Sequence, residues 1–310
     1  MISLRKAVTQ YLTTRRSLGF KLRDMGRTLQ HFVSFMEQQG ASLITTDLAL
    51  RWATRPQNVQ PAQWAARLSC VRSFARYWSA TDPHTEIPPL GLLPHRYKRS
   101  TPYIYSNGEI QHLLKAARKL APATGLRPWT YQCLFGLMAV TGLRISEAIG
   151  LDRHDVDLEQ GILTVRLTKF SKSRLVPLHP STVKKLKAYV RRRDNLHPRP
   201  LTSRFFLSNR GAPLTDCMAR HTFVKLSRQI GLRKTSDRFG PRLHDLRHRF
   251  AVTTLLEGYR TGVDVEQRLP VLSTYLGHAH VTDTYWYLSA IPELLALTKH
   301  RLEKRWEAFS

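Results

Sequence analysis

Six side chains in the second half of this 310-residue sequence have the types needed to break a phosphodiester bond. They are Arg144, Lys169, His244, Arg247, His278 and Tyr287. Metal-free cleavage of a phosphodiester has four requirements. A nucleophile must attack in line, cations must neutralise the non-bridging oxygens, an acid must protonate the leaving oxygen, and a base must take the nucleophile's proton. Arginine suits the second task, because its planar fork is always charged and can hold two oxygens at once. Histidine and lysine can move protons, and tyrosine can attack.

Local spacing assembles these residues. In Thr141-Gly142-Leu143-Arg144-Ile145-Ser146-Glu147 a glycine permits a sharp turn before the arginine, and Glu147 lies one helical turn on, able to hold the guanidinium. In Leu243-His244-Asp245-Leu246-Arg247-His248 the first histidine and the arginine are three apart, so on a helix they share a face. Leu276-Gly277-His278 reads as a helix ending on glycine. Tyr285 and Tyr287 differ by about 200° on a helix, so only one of them can face the arginines. Read alone, each motif has a plainer meaning: a surface Arg–Glu pair, a solvated hairpin, aromatic core packing. His244-Asp245-x-x-His248 also matches the spacing of a zinc-hydrolase helix, with His278 or His280 as a third ligand. Against zinc, the aspartate is shorter than the glutamate such helices use, and Arg242, Arg247 and Arg249 would repel a dication.

The elements that must position these residues are mostly helical. Three apolar faces recur over the first ~90 residues at helical spacing: Leu4, Ala7, Val8, Tyr11 and Leu12; Met25, Leu29, Phe32, Val33 and Met36; Trp64, Leu68, Val71, Phe74, Ala75 and Trp78. Arginines and lysines fill the faces between them. Residues 88–105 carry four prolines and a basic cluster and read as an extended linker. Ser106 and Glu109 form a capping box that opens a second domain. Helix is expected at 127–140, 181–192, 217–230, 243–257 and 271–276, with an amphipathic basic tail at 292–309. Gly161–Thr168 alternates as a half-buried strand, turns through Phe170–Ser173, and returns over Arg174–Leu178.

Charge points to the partner. Lys and Arg total 49 against 22 Asp and Glu, a net charge of +27. A polyanion relieves that excess, and phosphate contacts supply affinity through counterion release. No apolar run approaches the roughly 20 residues that span a bilayer, and the N-terminus has no signal-peptide pattern. The expected partner is nucleic acid, the expected location the cytoplasm, with no membrane role. Cys70, Cys133 and Cys217 are an odd, widely spaced set that suggests neither disulfides nor a zinc knuckle.

Taken in order, the motifs from Thr141 to Tyr287 resemble those of the tyrosine recombinase family, the phage-integrase and Xer-like enzymes. The resemblance covers essentially the whole chain. It implies a mainly α fold with a small antiparallel β-sheet, arranged as a two-domain DNA clamp. Residues 1–87 would be the N-terminal helical core-binding domain, 88–105 the linker and 106–310 the catalytic domain. It also implies roles. Arg144 and Arg247 bind the non-bridging oxygens, and His278 adds a donor. Lys169, at the first position of the hairpin turn, protonates the leaving 5′-oxygen, with Lys172 as second choice. His244 manages the tyrosine proton, and Tyr287, nine residues after His278, is the nucleophile. His248 would be a packing or hydrogen-bonding residue. No cofactor or metal is needed. The partners would be double-stranded DNA and further copies of the chain, in a tetramer on two DNA sites. The tail could dock on its own domain or on a neighbour. Two features depart from the family pattern: Arg249 stands where a small residue is usual, and the stretch from Arg247 to His278 is several residues longer, with Gly258–Asp264 as the extension. The alternatives are a type IB topoisomerase-like relaxation of DNA and a non-enzymatic DNA-binding protein that kept the fold.

Overall fold

The computed structural model describes residues 3–96, 101–166, 173–237, 239–261, 265–278 and 280–290, and beyond these only residues 295, 296, 299, 303, 306 and 307. The chain divides into two compact units, Met1–Ser100 and Thr101–Ser310. The helices dominate, and one small antiparallel sheet accompanies them.

The first unit holds α1 (Leu4–Ser17), α2 (Arg23–Gln38), α3 (Thr46–Thr54) and α4 (Pro61–Trp78). Ser3 and Thr45 cap α1 and α3 through their hydroxyls, satisfying orphan backbone donors. The three apolar faces meet in one core built on Val8, Leu29, Phe32, Met36, Val71 and Phe74. Arg72 donates to the carbonyls of Pro88 and Pro89, which ties the chain after α4 to that helix.

The second unit opens with α5 (Asn107–Arg118), whose capping box forms as the sequence predicts: Ser106 Oγ accepts from the Glu109 N–H and Glu109 accepts from the Ser106 N–H. Next come α6 (Arg127–Thr141) and the short α7 (Ile145–Gly150). The sheet follows as β1 (Val156–Asp157), β2 (Ile162–Val165) and β3 (Arg174–Pro177), in that spatial order, with Val165 opposite Arg174. Then come α8 (Pro180–Leu196), α9 (Asp216–Gln229), α10 (Asp245–Arg260), α11 (Val265–Leu276) and α12 (Thr282–Ala290). The buried helix α6 lies at the centre, its Leu134, Phe135 and Met138 inside a core shared with Leu163, Val176, Tyr189, Phe206 and Phe223.

Several elements differ from the sequence expectation: α3 and β1 are not among the expected elements, and α8 runs to Leu196, past its expected end at 192. β2 is described to Val165, and Arg166 beyond it bonds Asp155 Oδ1 at 2.5 Å, while residues 167–172, which hold the rest of the expected strand and its turn, lie outside the described residues. α11 starts six residues earlier, with Pro270 inside it. A proline removes one helical hydrogen bond, but Val265, Leu269 and Leu272 are buried and hold the first turns. The proposed extension begins inside α10, which runs to Arg260, and residues 262–264 lie outside the described set, as does most of the 292–309 tail. Among the described residues no helix is long and apolar enough to cross a membrane.

Candidate active site

The site is built around the C-terminal end of α11. The last carbonyls of a helix have no intrahelical partner and carry partial negative charge. Here three guanidinium groups, from three distant elements, take them. Arg174 Nε donates to the Tyr275 carbonyl at 2.6 Å. Arg247 Nη2 donates to the Leu276 carbonyl at 2.6 Å. Arg144 Nη2 donates to the Gly277 carbonyl at 3.1 Å. The helix is closed by a left-handed Gly277 (φ +66), with His278 N–H bonding back to the Ser273 carbonyl.

Arg144 reaches this point because α6 stops at Gly142, also left-handed (φ +63). A Cβ there would sit 2.7 Å from Phe250. The chain then turns into α7, and Glu147, one turn along, accepts from Arg144 twice: Nη1 at 2.8 Å and the backbone N–H at 3.0 Å. Glu147 also accepts Arg174 Nη2 at 2.8 Å and Nη1 at 3.3 Å. Burial pushes the Glu147 carboxyl up, but the hydrogen bonds and charge of Arg174, then those of Arg144, override it and leave it below the usual glutamate value.

Arg247, on α10, is only 1 % exposed. Its Nη1 donates to the Gly142 carbonyl at 2.8 Å, so one side chain spans the α6 cap and the α11 cap. Burial, and then the charge of Arg144, lower its pKa to about 10. The neighbouring His278 is half-buried, and its Nδ1 lies 2.8 Å from Thr284 Oγ1. Burial, then Arg247 and Arg144, push its pKa down to about 4.

Tyr287 is buried, whereas Tyr285 is 49 % exposed. Helical phase on α12 separates them as expected. The Tyr287 hydroxyl lies 3.2 Å from His248 Nδ1, and its ring stacks on His278 with centroids 6.3 Å apart. His248 in turn meets the His244 ring edge-to-face at 4.8 Å. His244 precedes α10 and keeps an open, solvent-facing side while the rest of its ring is hemmed in by protein. Desolvation, then His248 and Arg247, push its pKa down to about 4.

The structure therefore brings together Arg144, Arg247, His278 and Tyr287, with His244 behind His248. Lys169 and Lys172 lie outside the described residues. Two residues gain weight that the sequence did not give them. His248, expected to pack or hydrogen-bond, takes the second role, and the partner it finds is the Tyr287 hydroxyl. Arg174 was read merely as the start of a returning strand, and the signal that could have raised it is its place on the motif-bearing hairpin, as an arginine additional to Arg144 and Arg247. Arg249 has a structural use: it donates to the Tyr105 carbonyl at 2.9 Å and to Asn107 Oδ1 at 2.5 Å, pinning the start of α5 to α10. The zinc-helix alternative fits this geometry poorly. Asp245 is buried and accepts from the Arg242 backbone at 2.7 Å and Nη2 at 2.9 Å. Among the described residues, the acidic and histidine ligand atoms that converge are those of Asp152, His154 and Asp155, elsewhere in the fold.

Comparison with known proteins gives a consistent result. The pattern described as the phage integrase family matches residues 105–293. A Sinorhizobium fredii protein described as an integrase/recombinase, y4rB, is 51 % identical over 311 residues, covering 99 % of each chain. The tyrosine recombinase XerD of Caulobacter vibrioides is 31 % identical over 288 residues, covering 90 % of each. Among solved structures, the Tn1549 transposon integrase in complex with transposon right-end DNA shares the fold, with a TM-score of 0.67 at 15 % identity, covering 96 % of this chain and 98 % of that one.

Proposed function

This chain belongs to the phage integrase family of tyrosine recombinases, and from that premise we propose that it cuts and rejoins DNA at specific sites through a covalent bond to Tyr287. The observation that carries the assignment is the placement of the Tyr287 hydroxyl, buried beside His248 and His278 and within the field of Arg247, while Tyr285 faces solvent.

In this reading the Tyr287 oxygen attacks the scissile phosphorus. The bond to the 5′-oxygen breaks as the phosphotyrosyl bond forms on the 3′ side. Arg144 and Arg247 neutralise the non-bridging oxygens, with His278 as a further donor. Each guanidinium has five N–H donors, and the α11 and α6 caps use only some of them. The tyrosine proton passes to the His248–His244 pair. His244 is suited to accept it, because its depressed pKa keeps the ring neutral at pH 7. Lys169, by its place in the hairpin, gives a proton to the departing 5′-oxygen. The phosphotyrosyl link keeps the energy of the original bond, so a second 5′-hydroxyl can reverse the steps on a partner strand without ATP or metal.

The unit formed by residues 1–87 is the proposed core-binding domain, joined through 88–105 to the catalytic domain of residues 106–310. Its basic faces and the net charge of +27 suit a duplex partner in the cytoplasm. Pairwise strand exchange calls for four copies on two sites. The integrase-like relative y4rB and the transposon integrase fold favour service to a mobile element, with replicon resolution as the neighbouring possibility.

The test is covalent capture. Purified protein is incubated with nicked duplexes of randomised sequence, so that a short 5′ fragment escapes and traps the intermediate. DNA that stays on denatured protein is sequenced, and the modified residue is mapped by mass spectrometry. The expected adduct is on Tyr287 and vanishes in Tyr287→Phe. An adduct on Tyr285, or one that survives Tyr287→Phe, refutes the assignment.

A further inference from the structure

We propose that Arg174 is a positioning residue for strand cleavage: by sharing Glu147 it keeps Arg144 a net cation toward the scissile phosphate, and by holding the α11 turn it fixes where that cation points. The inference rests on the function proposed above.

The argument starts from charge. Glu147 grips Arg144 through both its backbone N–H and its side chain. An isolated Arg–Glu pair of this kind is neutral overall and offers little to an anion. Arg174 changes the balance, because its Nη2 bonds Glu147 Oε2 at 2.8 Å and its Nη1 bonds Oε1 at 3.3 Å. One carboxylate is then divided between two guanidinium groups, and the trio carries a net positive charge. Arg247 adds a second positive charge. Attack on a phosphate builds negative charge on its non-bridging oxygens, so a site with net cationic character gains most in the transition state.

Geometry supplies an independent strand. Arg174 lies on β3, yet its Nε reaches the carbonyl of Tyr275, 101 positions later in sequence. It is nearly buried, its side chain only 10 % exposed. The turn it supports is the one that hands Leu276 and Gly277 carbonyls to Arg247 and Arg144. Gly277 is shaped to it: a Cβ at that position would come 2.8 Å from Arg174 Nη1. A bidentate fork plus a third donor in line is geometry that lysine cannot copy.

The experiment uses the full chain and a duplex recovered by covalent capture, in two forms. One has an ordinary phosphodiester at the scissile position, and the other a methylphosphonate, which lacks one non-bridging charge. Single-turnover cleavage is measured for wild type, Arg174→Gln and Arg174→Lys, with thermal melting as a check on folding. Arg174→Gln is expected to slow phosphodiester cleavage about 30-fold, equivalent to about 2 kcal/mol. On the methylphosphonate its deficit shrinks to about 3-fold or less, since less charge needs compensation. Arg174→Lys recovers part of the phosphodiester rate. If Arg174→Gln melts below the assay temperature, the lysine variant carries the comparison, again with a smaller deficit on the neutral substrate. An equal deficit on both substrates, or none on either, overturns the inference and leaves the recombinase reading intact. Wild-type protein that forms no Tyr287 adduct on either DNA overturns both.

Discussion

Replacing Arg247 by methionine separates stability from activity, and the structure sets the size of each effect. Arg247 is 1 % exposed and has Arg144 as its charged neighbour. Its pKa falls from the ordinary arginine value to about 10. At 1.36 kcal/mol per tenfold change in proton affinity, holding this charge costs the DNA-free fold about 3 kcal/mol. Against that stand two charge-assisted hydrogen bonds, to the Gly142 carbonyl at 2.8 Å and the Leu276 carbonyl at 2.6 Å. Each contributes about 1.5–3 kcal/mol. Methionine fills a similar volume, removes the cost and forfeits the bonds. The bonds exceed the cost by about 0–3 kcal/mol, so Arg247→Met is expected to lose no more than about 3 kcal/mol of stability in the absence of DNA.

Cleavage responds differently. In the variant the charge that builds on the non-bridging oxygens loses the Arg247 donors, and removing one such donor costs about 10²- to 10³-fold in rate. Urea unfolding of both proteins gives the stability difference, and single-turnover cleavage of a captured duplex gives the rate. A stability loss above about 4 kcal/mol would show that Arg247 is chiefly a structural strut, its two carbonyl bonds outweighing the buried charge. An unchanged cleavage rate would remove it from the phosphate site.

Three further outcomes follow from the same geometry. First, His244 and His278 stay neutral in the DNA-free protein down to about pH 4, whereas in the unfolded chain they protonate near the ordinary value of about 6.5. The unfolded state therefore binds more protons between those limits, and stability declines as pH falls from about 6.5 to about 4. A phosphate that screens Arg144 and Arg247 raises both histidines, so DNA binding at pH 5.5 takes up protons. Calorimetry in buffers of different ionisation enthalpy detects this, and identical heats in all buffers would contradict it. Second, Gly277→Ala meets a left-handed backbone and the Arg174 guanidinium together, and should lower stability by about 1–2 kcal/mol in urea unfolding, with slower cleavage. Third, Thr284→Val removes the oxygen beside His278 Nδ1 and frees the ring to rotate. Cleavage should fall about 3- to 10-fold while the melting temperature moves by only a few degrees.

Much of this site is legible in the sequence because its parts are local. The glycine before Arg144, the glutamate one turn after it and the Ser106–Glu109 capping box each depend on neighbours within a few residues, and each forms as read. Tyr285 and Tyr287 separate by helical phase alone, one exposed and one buried. The mainly helical fold with its small antiparallel sheet is legible for the same reason, since apolar periodicity is a local signal. The start of α11 is not, because Pro270 marks a boundary in sequence that tertiary packing of Val265 and Leu269 overrides.

What the sequence hides is the acceptor that organises the arginines. Side-chain motifs suggest that Arg144 and Arg247 wait for phosphate, yet both are bound to backbone carbonyls at the end of α11. Any residue type supplies a carbonyl, so no pattern announces that arrangement, and Arg174 goes unnoticed for the same reason. Such carbonyls are well suited to the task. They are weak, neutral acceptors that pre-aim the guanidinium groups without cancelling their charge, as further carboxylates would. Among the described residues Glu147 is the one carboxylate that bonds this arginine group, and it is divided between two of the three. The site therefore holds its cations in place at the cost of burial and of unrelieved repulsion: desolvation first, then neighbouring positive groups, lower the pKa of Arg247, His244 and His278. An arriving phosphate needs to reorganise little and gains the release of that repulsion. The same arrangement ties discrimination to charge, because a neutral backbone at the scissile position would leave the repulsion in place.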